Sequence, residues 1–189
     1  MKSPQSPLYI IGFLCFTLSL FSQTKSLTVL TPSVYPVVNE KTIMETTGDS
    51  ENHKILLAAV KAADLEKVLG QSGPFTFFAP SDNAFSKFSS EELKHLFNED
   101  NKKVLKDLLT YHIVAGNLSA SKMLRAMCSG RGSASFTTVQ GAKITATMKG
   151  TDIILTDSLG NTAKITVADA SQSNGVIHEI DTVILPTEL

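Results

Sequence analysis

The chain has 189 residues, with 17 Lys and Arg against 18 Asp and Glu, two Cys and no Trp. A formal net charge of −1 without a basic face gives no footprint for nucleic acid, and two cysteines cannot form a disulfide framework. With 42% hydrophobic residues, the length suffices for one packed core, from which stability has to come.

Lys2 precedes a run from Leu8 to Phe21 broken only by small or weakly polar residues, and Ser22-Gln23-Thr24-Lys25-Ser26 follows. This is the charge, apolar core and polar exit of a secretory signal peptide. The run falls short of the about 20 apolar residues of a spanning helix, and no basic stop-transfer cluster follows. Residues 1–22 therefore read as a leader cleaved near Ser22, with an uncleaved N-terminal anchor as the alternative. Cys15 follows Phe13 and Leu14, whereas lipid attachment wants small residues directly before the cysteine. Cleavage removes Lys2 and Cys15, leaving a net charge of −2, no stable membrane span and Cys128 alone, so no internal disulfide forms in an oxidising destination.

Residues 23–40 read as an extended lead-in, because Pro32 and Pro36 forbid a helix in an aliphatic stretch. Ile55, Leu56, Ala59, Val60 and Ala63 then recur with the steps of an amphipathic helix. A further turn runs from Asp64 to Leu69, and Gly70 with Gly73-Pro74 stops it. Phe75 to Ala79 reads as a strand with Phe75 and Phe77 on one face, ended by Pro80. Ser81 or Asp82 caps a short helix carrying Phe85 and Phe88, and Ser89 with Glu92 has capping-box spacing before Leu93, Leu96 and Phe97. Asn101 is placed to cap a longer helix with the stripe Val104, Leu105, Leu108, Leu109 and His112; Lys102, Lys103 and Lys106 fall on its solvated side. Ser119 caps one more helix, with Leu118 and Met123 as a hydrophobic staple. Cys128 reads as a buried apolar residue; its glycine-rich setting, Gly130-Arg131-Gly132, keeps an exposed thiol as the alternative.

After Gly132 the period changes to that of strands: Phe136 to Val139, Lys143 to Met148, Asp152 to Thr156 and Ala163 to Val167, joined by turn residues as in a meander. Val176 to Ile180 and Thr182 to Leu185 read as two last strands. Helices followed by strands indicate an α+β domain. No internal repeat is present, so residues 41–187 form one module.

Three segments in order, PFTFFAPSDNAF at 74–85, LLTYHIV at 108–114 and NGVIHEIDTVILP at 174–186, resemble the signatures of the fasciclin family. The resemblance covers about Thr42 to Thr187. It implies a β-wedge or sandwich with helices packed along it, found in extracellular and cell-surface proteins that mediate adhesion. Phe77, Pro80, Ser81, Asp82 and Phe85 in the first signature, and Asn174, Gly175, His178 and Asp181 in the last, read as turn-plus-strand positions that pin the topology. In animal relatives the Tyr-His segment with its aliphatic neighbours is implicated in integrin recognition. The resemblance thus makes Tyr111, His112, Leu108 and Ile113 candidate partner-binding residues. Tyr111 lies about 100° around the helix from His112, at the margin of the buried face. Animal members also carry an Asp-Ile pair before the last signature, where this chain has Asp169-Ala170, so that second site does not carry over.

His112, in phase with a buried stripe, reads as a core histidine satisfied by hydrogen bonds. The histidines 53, 95, 112 and 178 stand in no metal-ligand spacing, Cys128 has no companion and no Gly-x-Ser-x-Gly elbow occurs. The reading is therefore a non-enzymatic module without cofactor, secreted or in the cell envelope. Its partner is a cell-surface or matrix protein, a glycan or another copy. The alternative is a module for a small apolar ligand or polysaccharide, with Phe136, Met123, Met127 and Met148 lining a cavity of roughly several hundred Å³. Asn117-Leu118-Ser119 has the pattern of a glycosylation sequon.

Overall fold

Thr42 opens the first helix of the computed structural model, which describes residues 41–186; the expected leader and lead-in lie outside the described residues. Its hydroxyl accepts from the Glu45 amide at 3.2 Å while the Glu45 carboxylate accepts from Thr42 N at 2.7 Å, a complete capping box for α1, Ile43–Asp49. Helix α2, Lys54–Ala62, buries Leu56, Ala59 and Val60 as its periodicity requires. After Asp64, at φ 54°, α3 spans Glu66–Gly70. Strand β1, Phe75–Pro80, leads into α4, Asp82–Phe85, capped by the Ser81 hydroxyl. Ser89 and Glu92 form the expected capping box of α5, Ser90–Leu96.

Asn101 precedes α6, Lys102–Tyr111, without capping it. Its side-chain amide instead donates to the His95 carbonyl at 2.7 Å, and Asn98 caps the short 3₁₀ turn between α5 and α6. Strand β2, Ile113–Ala115, follows, and Ser119 caps α7, Ala120–Ser129. The rest is β3, Ser133–Thr137; β4, Lys143–Lys149; β5, Asp152–Thr156; β6, Thr162–Gln172; and β7, Gly175–Ile180. The α+β class holds, but strands β1 and β2 stand among the helices, and Thr182 to Leu185 is no strand. There Ile184 N donates to His112 Nε2 and Leu185 N to Asp157 Oδ2, so side chains take the amides that a ladder would have used.

The seven strands form one sheet in the order β2-β1-β7-β6-β5-β4-β3. All neighbours are antiparallel except β1 and β7, whose parallel register pairs Phe77 with Ile177 and Phe78 with His178. The far ends of the sheet approach each other: Val114 bridges Thr138, and Val139 N donates to Ile113 O at 2.7 Å. This near-closure is the expected wedge. It also leaves little free edge on β2.

Two cores result. Outside the wedge, α2, α4 and α6 pack Leu56, Val60, Phe85 and Leu105 against Phe77 and Ile177. Inside it, Phe78, Tyr111, Met123, Ile144, Leu155 and Ile180 fill the fold of the sheet, with α7 as a plug. Strand β1 is buried on both faces, which explains its continuous apolar run.

Candidate functional site

The Tyr-His segment sits where α6 ends against the closing sheet, and all four candidate partner-binding residues, Leu108, Tyr111, His112 and Ile113, are at most 1% exposed. The expected marginal place of Tyr111 is thereby corrected. Turning about 100° from His112 directs the phenol into the second core rather than into solvent, because the wedge covers that side of α6 as well. The Tyr111 hydroxyl donates to Lys143 O at 2.8 Å and accepts from Ser158 N at 3.2 Å. Burial, the largest cause, raises its pKa.

His112 terminates α6 and is fully buried. Ile184 N donates to its Nε2 at 3.3 Å, so the ring carries its proton on Nδ1, which donates to Leu108 O at 2.8 Å. Burial pushes its pKa down to about 4, against the pull of the Leu108 carbonyl and of Asp157. The backbone carbonyl of His112 accepts from Phe78 N at 2.9 Å. One residue therefore joins all three signatures, through Phe78, its own helix and Ile184. Beside it Asp157 accepts from Leu159 N, Asn161 N, the Asn161 amide and Leu185 N. In the sequence Asp157 carries only the local signal of a turn residue.

The other signature residues are likewise consumed within the fold. Asp82 does not serve the helix it begins. Its carboxylate accepts from Lys54 N at 3.3 Å and Ile55 N at 2.8 Å, capping α2 far upstream. Asn174 accepts from Ile43 N and donates to Leu69 O and Gln71 O, joining α1 to α3. A Cβ on Gly175 would lie 2.0 Å from Phe75 O, so only glycine permits this β1–β7 approach. His178 stacks on Phe78 at 5.7 Å, donates from Nε2 to Leu118 O at 2.7 Å and accepts at Nδ1 from Asp169 N at 3.2 Å. Burial lowers its pKa. Asp181 accepts from Lys164 N at 2.8 Å. Asp169, with φ 61°, caps α7 through Ala120 N at 2.8 Å.

Three further expectations are corrected. Val104 is 39% exposed, and the buried stripe of α6 narrows to Leu105, Leu108 and Leu109. Cys128 is an exposed free thiol on α7, one position past the inward Met127 and thus turned toward solvent. Met123 and Met127 are core while Met148 is 40% exposed, so the methionines line no common cavity.

Two of the surface depressions lie beside signature residues. A groove of about 500 Å³ at the β1/β7 entry is lined by Gln71, Ser72, Pro74, Asn117 and Ser173, with no charged side chain. A slot of about 100 Å³ lies between α1 and the β6–β7 pair and contains His53 and Glu179. Among the described residues no three His, Cys, Asp or Glu gather as metal ligands, and no helix is long and apolar enough to cross a membrane.

Comparison with known proteins agrees with this geometry. Residues 51–186 match the fasciclin domain. Protein sll1483 of Synechocystis is 37% identical over 145 residues, 77% of this chain and 73% of its own. Immunogenic protein MPB70 of Mycobacterium bovis is 32% identical over 115 residues, 61% of this chain and 51% of its own. Human periostin is 29% identical over 149 residues, 79% of this chain and 16% of its own. A FAS1 domain pair from the insect cell adhesion molecule fasciclin I superposes with a TM-score of 0.69 at 18% identity, covering 78% of this chain and 51% of that one. The chain thus spans about half the length of MPB70 and of that pair. The match over residues 51–186 takes in all three signatures and the whole seven-stranded sheet, and the chain belongs to the fasciclin domain family.

Proposed function

We propose that this protein is an exported, non-catalytic binding module that acts in adhesion at the cell surface or outside the cell, toward a surface or matrix protein, a glycan or another copy. Adhesion is argued from the family, of which fasciclin I is described as an insect cell adhesion molecule. The observation that carries the non-catalytic reading is the state of His112 and His178. Both rings have each nitrogen engaged by a backbone group and a lowered pKa, so neither has a free nitrogen to offer a substrate. Burial of Tyr111 and His112 supports a structural role for the Tyr-His segment and a contact surface elsewhere.

The test is attachment of beads carrying residues 23–189 to cell-surface extracts, against beads carrying an unrelated exported domain. Retention above that control is expected, and equal retention sinks the adhesive reading. A polysaccharide-binding module is the second reading, favoured by the uncharged amide and hydroxyl lining of the 500 Å³ groove. Retention on immobilised polysaccharide, lost on Gln71→Ala with Asn117→Ala, is its expected signature.

A further inference from the structure

The slot of about 100 Å³ is far below the roughly 300–1,000 Å³ of small-molecule pockets. It suits a group the size of one side chain. Thr47, His53 and Ala79, all buried, form its deep side; Ile177 and Ala170 give apolar walls, and Val167, 51% exposed, stands at the rim.

Two polar atoms face each other in this apolar setting, Glu179 Oε2 and His53 Nε2, at 3.8 Å. His53 is 9% exposed, and its Nδ1 lies 2.7 Å from Ser50 Oγ. Its Nε2 is buried without a hydrogen-bond partner. Burial lowers its pKa most, opposed by Glu179, Asp82 and the Ala79 carbonyl, which does not reach hydrogen-bond geometry. A neutral ring gives Glu179 no counter-charge. The Glu179 Oε1 accepts from Thr166 Oγ1 at 2.9 Å, which orients the carboxylate, and no Lys or Arg pairs with it among the described residues.

Ser50 Oγ can donate to Nδ1 or accept from it; a cation entering the slot selects the tautomer with the proton on Nδ1, in which Nε2 is a bare acceptor. The slot then presents a carboxylate oxygen and an imidazole nitrogen close enough for one donor atom to reach both at ordinary hydrogen-bond lengths of roughly 2.8–3.0 Å. A compact ammonium with rotatable donors on an aliphatic stem matches this, whereas a planar guanidinium is wider.

We propose that the slot between α1 and the β6–β7 pair receives a lysine side chain of a partner protein, its ammonium held between Glu179 Oε2 and His53 Nε2 and its stem against Ala170 and Ile177. This names an anchor for the binding-module reading and rests on it. A single buried side chain in a desolvated slot is the usual form of an interface anchor.

The experiment is an NMR titration of isotope-labelled residues 23–189 at neutral pH with n-butylammonium, with n-butanol as the uncharged match. Saturable shifts are expected at the His53 ring and the Ala170 and Ile177 amides. Butanol should bind at least about tenfold more weakly, since it forfeits a charge-assisted hydrogen bond, and Glu179→Gln should weaken butylammonium to a similar degree. No saturable shift, equal response to butanol, or undiminished binding by Glu179→Gln overturns the proposal. So does a long-lived water on Nε2 that persists at saturating butylammonium. A lysine diamide distinguishes the source: it should bind where its Nε-acetyl form does not, and butylammonium binding without lysine-diamide binding overturns the protein partner. If the slot fails while coated beads still attach to cell-surface extracts, this inference falls and the adhesive reading stands.

Discussion

Acidification should remove stability through His112, and the size of the loss follows from its burial. The unfolded chain binds a proton at the ordinary value of 6.5, while the folded ring waits until about 4. Between those values the unfolded state carries the extra proton, so stability rises with pH. The contribution is complete above 6.5, falls as pH drops, and is exhausted near 4. A gap of this size is worth about 3 kcal/mol, at about 1.4 kcal/mol per pH unit, against roughly 5–15 kcal/mol for a domain. Protonation of the folded ring would also put a second hydrogen against Ile184 N, which already donates there. Urea unfolding followed by far-UV circular dichroism at pH 7, 6, 5 and 4 measures the effect in the parent and in His112→Gln, which is uncharged at every pH. Contributions from His53 and His178, whose pKa values are also lowered, are shared by both proteins and drop out of the difference. The parent should lose about 3 kcal/mol more than the variant between pH 7 and 4. Parallel profiles, or an NMR titration of the folded parent giving His112 an ordinary pKa, would refute the reasoning.

Tyr111→Ala should destabilise by about 3–5 kcal/mol, as for other large aromatic truncations, and Tyr111→Phe by about 1–3 kcal/mol for orphaning Ser158 N and Lys143 O. Thermal melting reads both, and Tyr111→Phe should attach to surfaces like the parent at temperatures where it is folded; selective loss of attachment would return the segment to a recognition role. Asp82→Ala removes the acceptor of two α2 amides and should cost about 1–2 kcal/mol, visible as early hydrogen exchange at Lys54 and Ile55. Unchanged exchange there would show the cap to be idle. N-terminal sequencing of exported protein should begin near Gln23, and recovery only from membranes with Met1 or Lys2 retained would make residues 8–21 an anchor.

Local signals in the sequence were enough for α4, α5 and α7, because a cap such as Ser81, Ser89 or Ser119 and the stripe it precedes lie within one or two turns of each other, and for α2 through its apolar stripe alone. The Thr42 and Glu45 capping box before α1 is the same kind of local signal. The meander from β3 to β7 was legible for a like reason, since adjacent strands joined by turn residues pair with each other, although its first strand is Ser133–Thr137 and not Phe136 to Val139. Tertiary structure alone decided the rest. Asp82 caps a helix that precedes it, β1 lies parallel to β7, and β2 is recognised as a strand only beside β1. Tyr111 is buried because the sheet closes over the side of α6 that helical phase left at the margin. His53 and Glu179 meet only because α1 and the corner that follows it pack on β7. Period and capping report which face of an element is apolar, but which surfaces come to face each other depends on long-range strand pairing, and that pairing places the hydrogen-bond partners of Tyr111, His112 and Asp82.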